Sequence, residues 1–250
     1  MYINDMIKIA ITDSRIDSES QRRLMLHGYR VITLPPFSRL SEAVASHPDM
    51  LIKRIGNEYI SYADYCEEAS YIFSDLSLMT SGSGARFSFT ADQVSPDYPA
   101  DVGLNALEIG GMLFCRVKSA SDTMLRYATE AGLKIVNVNQ GYPACTVLKL
   151  NDKAAVTADK GMAKTLSDHG IRVTLIEEGY IDLPPHEYGF IGGCAEVDGD
   201  KIFFFGDPAT HPSGDKIIAA AEAEGLKVIP LSTLGLRDLG GILFAEGNIH

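Results

Sequence analysis

Two thiols, two imidazoles and a handful of carboxylates and amides carry whatever chemistry this chain has to offer. They are Cys145 and Cys194, His47 and His211, Asp49, Asp159 and Asp207, and Asn105 and Gln140. A Cys beside a His is a nucleophile with its proton acceptor, and a neighbouring Asp orients the imidazole or holds a cation. Each residue also has a plainer role. A free Cys serves as a small, inert core residue. Asp159 and Asp207 are the right type for a helix cap or a turn. His47 and His211 each precede a proline and suit a turn. The four cysteines, Cys66, Cys115, Cys145 and Cys194, stand far apart with no CxxC pair, and no His/Asp spacing calls for a metal. Neither a metal nor a cofactor is expected.

What must position these residues is a repeat. Five times a helix-like stretch ends in Gly, a small, apolar or aromatic residue, Arg or Lys, and then a β-rich run. The copies begin at Gly28, Gly84, Gly132, Gly170 and Gly225, 38 to 56 residues apart, which divides the chain into five units. Each glycine suits the left-handed position that ends a helix. The fourth unit reads most clearly: a strand over Cys194–Asp198, a turn at Gly199, a strand over Lys201–Phe205, a helix over Asp215–Glu224 and a strand over Lys227–Leu231. The third repeats it, with strands over Cys145–Leu150 and Ala154–Thr157, Asp159 as N-cap of a helix to about His169, and a strand over Ile171–Ile176. The second places its first strand over Asn105–Ile109. The first places strands over Met50–Ile55 and Tyr59–Tyr62, a helix over Glu67–Leu76 and a weaker strand over Phe87–Phe89.

The fifth unit is split. Gly240–Phe244 supplies its first strand from one end of the chain. Ile7–Thr12, Ser18–His27 and Arg30–Leu34 supply strand, helix and strand from the other. Pairing the last strand with the first hides two sheet edges that would otherwise invite aggregation. The reading is therefore an α/β ring of five ββαβ repeats forming one domain over residues 1–250. The first strands begin near its pseudo-fivefold axis, which brings Asp49, Asn105, Cys145, Cys194 and Gly241 to comparable positions.

Composition narrows the partners. The formal charge is −11, which repels phosphate backbones, so nucleic acid is not expected. No apolar run is long enough to span a bilayer, and no secretion signal stands at the beginning. With unpaired cysteines, this reads as a cytoplasmic, reduced protein. A small-molecule ligand, a protein partner or a homo-oligomer all remain compatible with the chain, the last through the Tyr-rich stretch Tyr59–Tyr71.

The unit order, unit number and split closure resemble the pentein superfamily, the five-bladed αβ-propellers. Gly192-Gly193-Cys194 resembles the Gly-Gly-Asp strand of dimethylarginine hydrolases, with Cys194 where those enzymes carry an acid. The phrases His47-Pro48-Asp49-Met50, Gln140-Gly141-Tyr142 with Cys145, and Tyr188 to Gly193 resemble more closely a bacterial pentein-like family of unknown function. The superfamily implies two readings. One is a Cys-dependent hydrolase or transferase acting on a guanidino or amidino small molecule. For it the candidate catalytic residues are Cys145, Cys194, His47 and His211, and the candidate ligand-binding residues are Asp49, Asn105, Gln140, Asp159 and Asp207. Carboxylates grip such planar cations through paired hydrogen bonds. The other reading is a non-catalytic binding module like the initiation-factor branch of the superfamily. It follows from a departure: the catalytic penteins carry their nucleophilic Cys in the last repeat, where this chain reads Asp238-Leu239-Gly240-Gly241 with no Cys.

Overall fold

The strands of this chain are three to eight residues long, which makes small sheets rather than one large one. The computed structural model describes residues 6–248. It opens with β1 (Met6–Asp13), α1 (Ser18–Leu26) and β2 (Tyr29–Leu34). Next come α2 (Pro48–Leu51), β3 (Ile52–Ile55), β4 (Glu58–Tyr62), α3 (Ala63–Glu68), α4 (Ser70–Met79) and β5 (Arg86–Thr90). The second unit is β6 (Leu107–Ile109), β7 (Met112–Cys115), α5 (Asp122–Glu130) and β8 (Lys134–Asn137). The third is α6 (Pro143–Thr146), β9 (Val147–Asn151), β10 (Ala154–Thr157), α7 (Lys160–Asp168) and β11 (Arg172–Leu175). The fourth is β12 (Ala195–Asp198), β13 (Lys201–Phe204), α8 (Gly214–Ala223) and β14 (Lys227–Pro230), and β15 (Leu243–Asn248) closes the chain.

These strands form five three-stranded sheets, β15-β1-β2, β3-β4-β5, β6-β7-β8, β9-β10-β11 and β12-β13-β14. In each, an antiparallel pair is followed by a helical crossover to a parallel third strand. The closing blade obeys the same rule across the termini: β1 pairs antiparallel with β15, Ile9 opposite Ala245, and parallel with β2, Ile9 opposite Arg30. The fold is a five-bladed αβ-propeller with its fifth blade shared by the two ends of the chain. The five repeat glycines all sit at positive φ, from +76° to +90°. After α5, α7 and α8 the residue following the glycine donates its N–H back to the last helical turn, Leu133 to Ala128, Ile171 to Leu166 and Leu226 to Ala221, the bond that ends a helix in a left-handed turn.

A three-stranded sheet with one helix cannot bury enough apolar surface alone, so the blades stand by packing on one another. The cores run between blades. Leu107, Ile109 and Phe114 of the second pack with Val147, Ala155 and Met162 of the third, and Ala10 and Leu24 of the closing blade pack with Phe203 of the fourth. Each of the larger side chains among these contributes about 1.5–3 kcal/mol.

Two details depart from the sequence reading. The helix expected over Glu67–Leu76 is two helices, α3 and α4, divided at Ala69, whose backbone (φ −112°, ψ 31°) leaves the helical region. More consequential, the axial strands begin one to three residues later than their sequence suggests. Met50, Cys145 and Cys194 lie in short helical turns, Pro48–Leu51, Pro143–Thr146 and Gly192–Cys194. Two of these turns open on a proline whose fixed φ suits a first helical residue.

Candidate functional site

The short turns are what bring side chains to the axis. His47 precedes Pro48 and gives its carbonyl to the N–H groups of Met50 and Leu51, at 3.1 and 3.2 Å, while its ring makes no capping bond. Asp49, one residue into the turn, receives no help from its own helix. Its N–H donates to Gly240 O at 3.3 Å. On the third blade, Ala144 N–H donates to Asn105 Oδ1 at 2.9 Å. That contact fixes the amide: its nitrogen then faces Cys145 Sγ at 3.1 Å and Asp49 O at 3.4 Å. Cys145 in turn donates its thiol proton to Asp49 Oδ2 at 2.8 Å. Three blades thus meet through one amide, one thiol and one carboxylate.

His47 lies behind them, with no exposed surface. Three carboxylates surround its ring: Asp238 Oδ1 at 3.8 Å and Asp49 Oδ1 at 4.0 Å from Nδ1, and Asp13 Oδ2 at 3.7 Å from Nε2. None of these distances is a hydrogen bond. Neither ring nitrogen has a hydrogen-bond partner of good geometry, and Asp49 Oδ1 has none either. A buried polar group left unpaired costs about 1–3 kcal/mol, so this cluster is held at a cost that the rest of the fold must cover. His47 Nδ1 or Nε2, a carboxylate oxygen of Asp49 and Cys145 Sγ all lie within 4.8 Å of one another.

The electrostatics follow from burial. Asp13 is paired in a fork with Arg15, at 3.0 Å to Nε and 2.5 Å to Nη2, and its charge is balanced. Asp49 and Asp238 have no such cation. Burial lifts the Asp49 carboxyl to about 6, against the opposing hydrogen bonds from Cys145 and Asn105. Burial raises Asp238 as well, against the pull of His47, and its carboxylate accepts N–H bonds from Phe190 at 2.8 Å and Gly240 at 3.1 Å. Burial lowers His47, outweighing Asp238 and Asp13. Burial, then Asp49 and Asp238, push the Cys145 thiol well above its ordinary range. In this state the imidazole is neutral and the sulfur keeps its proton.

Asp49 also lines an axial cavity of about 510 Å³ whose wall reaches Gly56 in the first hairpin turn. Lys53, Glu108, Lys149 and Glu196, from four successive axial strands, line its wall in alternating sign. Lys53 Nζ donates to Ala106 O at 2.7 Å and Lys149 pairs with Asp152 at 2.8 Å. Burial raises Glu196 to about 7, against Lys149 and Lys53.

The other residues singled out in the sequence lie elsewhere. Cys194 is fully buried among Leu148, Ile202 and Phe204, and its thiol donates to Phe190 O at 3.1 Å. His211 accepts from Ser213 N at 3.0 Å through Nδ1, which leaves Nε2 to donate to Gly179 O at 3.1 Å. Both nitrogens are spent on backbone, and the ring stands edge-on to Tyr180. Gln140 and Asp159 meet each other at 2.8 Å and line a different cavity, of about 520 Å³, with Lys160, Glu178 and Tyr188. Asp159 caps α7 through Met162 N, and Asp207 caps the turn Pro208–Thr210 through Ala209 N. Of the nine candidates, Asp49, Asn105, Cys145 and His47 are the ones brought together.

Two members of the cluster are not among the nine candidates, although the sequence does place Asp13 with the acids that follow second strands near the axis. Asp238 stands two residues before Gly240, in a stretch notable there for lacking Cys. Asp13 ends β1 as one of several acids after second strands. What marks Asp238 is its glycines. A Cβ at Gly193 would lie 1.8 Å from its Oδ1, and one at Gly189 2.5 Å from its Cβ.

None of the curated proteins matches the chain. Among solved structures, the amidinotransferase SxtG from Microseira wollei, of a saxitoxin biosynthetic pathway, aligns over 91% of this chain and 89% of its own, with a TM-score of 0.56 and 13% identity. Inosamine-phosphate amidinotransferase StrB1 from Streptomyces griseus aligns over 91% and 78%, with a TM-score of 0.55 and 17% identity. Dimethylarginine dimethylaminohydrolase from Pseudomonas aeruginosa aligns over 93% of both chains, with a TM-score of 0.52 and 12% identity. At such identities the likeness is one of fold. No described helix is long and apolar enough to cross a membrane. A family model matches residues 11–243, nearly all of the propeller from β1 to the start of β15, so the chain belongs to the family of unknown function DUF6873 and carries the pentein fold.

Proposed function

We propose that the axial cavity takes a small guanidino or amidino compound and that Cys145 attacks its central carbon, as in a hydrolase or transferase. The observation that carries this reading is Asp49. It is a carboxylate lining the cavity, with no Lys or Arg ion pair among the described residues and a thiol bonded to one of its oxygens. A planar cation bound against Asp49 supplies the missing charge. It also lowers the cost of ionising Cys145, whose proton has Asp49 as immediate acceptor and His47 nearby. The thiolate adds to the guanidino carbon. The adduct then expels its amine, which takes a proton from the protonated acceptor, and leaves an amidino group on sulfur. Water or a second amine completes hydrolysis or transfer. The SxtG and StrB1 amidinotransferases and the dimethylarginine hydrolase share the fold, which supports this substrate class by analogy.

The burial of Cys145 favours a second reading, a binding module that holds the same cation without turnover. One experiment separates the two. The purified protein is offered arginine, agmatine and 4-guanidinobutyrate, with ammonia release, binding heat and the intact mass of trapped protein followed together. Turnover with an amidino adduct on Cys145, abolished by Cys145→Ala, is the expected result. Binding heat without turnover selects the module. Absence of both overturns the guanidino reading.

A further inference from the structure

We propose that His47, Asp49 and Cys145 form a site for one divalent transition-metal ion of the zinc type, with Asp238 as fourth ligand and Asp13 holding the histidine in place. The fold leaves several polar groups at the axis unused. His47 is wholly buried, yet neither nitrogen has a hydrogen-bond partner, and the Asp49 oxygen nearest its ring has none. These unpaired atoms face one another. Nδ1 is 4.0 Å from Asp49 Oδ1 and 3.8 Å from Asp238 Oδ1, and ligand atoms of His47, Asp49 and Cys145 lie within 4.8 Å of one another. Nitrogen and oxygen ligands about 2.0–2.1 Å from a tetrahedral zinc stand roughly 3.4 Å apart. On that scale the two His47–carboxylate pairs need to close by about half an ångström and pairs as far as 4.8 Å apart by up to about 1.4 Å, with Asp238 drawn in and Cys145 turned from Asp49 toward the ion.

The donor set selects the metal. One imidazole nitrogen, one thiolate and two carboxylates are a mixed N, S, O set suited to zinc or cobalt. Calcium and magnesium want oxygen throughout. The support behind the ligands also has the form of a metal site. Asp13 Oδ2 lies 3.7 Å from His47 Nε2, the nitrogen turned away from Asp49, and Asp13 is itself gripped by Arg15. Drawn in to hydrogen-bond distance, a carboxylate in that place accepts from Nε2–H and selects the tautomer that leaves Nδ1 free to ligate. Asp238 is held by the N–H groups of Phe190 and Gly240. Gly240 leaves the room: a Cβ there would lie 2.4 Å from His47 Cβ and 2.8 Å from Asp49 Oδ1. No spacing in the sequence announces the site, because its ligands come from positions 47, 49, 145 and 238.

Binding releases the thiol proton to solvent and commits a sulfur lone pair to the ion, so the metal-loaded protein is a state in which Cys145 does not attack. The inference does not rest on the guanidino reading, since no substrate enters its test. Metal-stripped protein is titrated with Co²⁺ and followed for a thiolate-to-cobalt charge-transfer band, and Zn²⁺ stoichiometry is measured by elemental analysis after dialysis. One ion per chain and a charge-transfer band are expected. Cys145→Ser should abolish the band. His47→Ala should lose affinity by a hundredfold or more. Asp13→Asn should weaken binding by about 10- to 100-fold while retaining the band. Circular dichroism of each stripped variant separates loss of ligand from loss of fold. If His47→Ala does not fold, the decision passes to Cys145→Ser. Cobalt binding without a charge-transfer band, or with a band that survives Cys145→Ser, overturns the proposal, as does failure of the wild type to retain any ion.

Discussion

At the scale of single residues, Gly240 is the position on which the cluster closes. Its φ is +68°, its N–H bonds Asp238, its carbonyl receives Asp49 N–H, and a side chain there would overlap His47. Its neighbour Gly241 shares the positive φ (+70°), yet a Cβ there would meet nothing closer than 3.5 Å. The pair separates two costs that are usually entangled. Gly241→Ala should lose about 1 kcal/mol for the left-handed backbone alone, and Gly240→Ala about 3 kcal/mol or more, because overpacking is added. Urea denaturation measures both. Equal losses would mean that the His47 side chain yields freely and the cluster is not tightly held.

Elements explain why the chemistry stands where it does. The short turns at Pro48–Leu51 and Pro143–Thr146 tilt Asp49 and Cys145 toward the axis before the strands begin, which a strand running straight through those positions would not do. The longer helices have the opposite duty of spacing the blades. Asp159 belongs with them, since its carboxylate caps α7 and holds Gln140. Asp159→Ala should therefore cost about 1 kcal/mol of stability and leave ligand and metal binding at Asp49 unchanged. A matching loss of affinity, seen by calorimetry, would instead tie the second cavity to the first. The closing strand carries its own prediction. Ending the chain after Ile242 removes β15 and uncovers the edge of β1, so the shortened protein should self-associate on size-exclusion chromatography. A monomer with an unchanged unfolding midpoint would show that the ring does not depend on its seam.

For the whole molecule, the axis is where five similar units are made different. The blades repeat, but the residues they turn inward do not. At the cluster they offer an acid, an amide, a thiol and glycines, and along the cavity Lys53, Glu108, Lys149 and Glu196. That inequality makes one pocket rather than five. Placing Glu196 there has a pH signature. Its pKa rises from 4.5 to about 7 because burial disfavours the charged form. The folded protein thus holds a proton that the unfolded chain has released between those values. Below pH 4.5 both forms are protonated and the carboxyl has no ionisation cost. As pH climbs through 7 the cost reaches its full size. Glu196→Gln should raise the melting temperature at pH 8.5 and change it much less at pH 5. A variant less stable at pH 8.5 would show that the lysines of the ring more than compensate the buried charge.

The sequence by itself determined the periodic part of this protein. A helix that ends in a left-handed glycine, and a strand that alternates or clusters its β-branched residues, are local events, so Gly28, Gly132, Gly170 and Gly225 announced their turns. The split fifth unit announced the seam of the ring. Repetition also carried the reading as far as the axis, since equivalent positions in equivalent units must face a common centre. The site was legible only to that depth. Asp49, Asn105 and Cys145 share one register. Cys194 shares it too, yet its thiol turns to the Phe190 carbonyl within the core. By residue type and its following proline His211 matches His47, yet both its nitrogens bond backbone atoms. Which side chain turns inward, which nitrogen goes unpaired and which carboxylate lacks a cation are decided by contacts between residues as far apart as 13 and 238. Those contacts exist only once the ring has closed, and they belong to the tertiary structure alone.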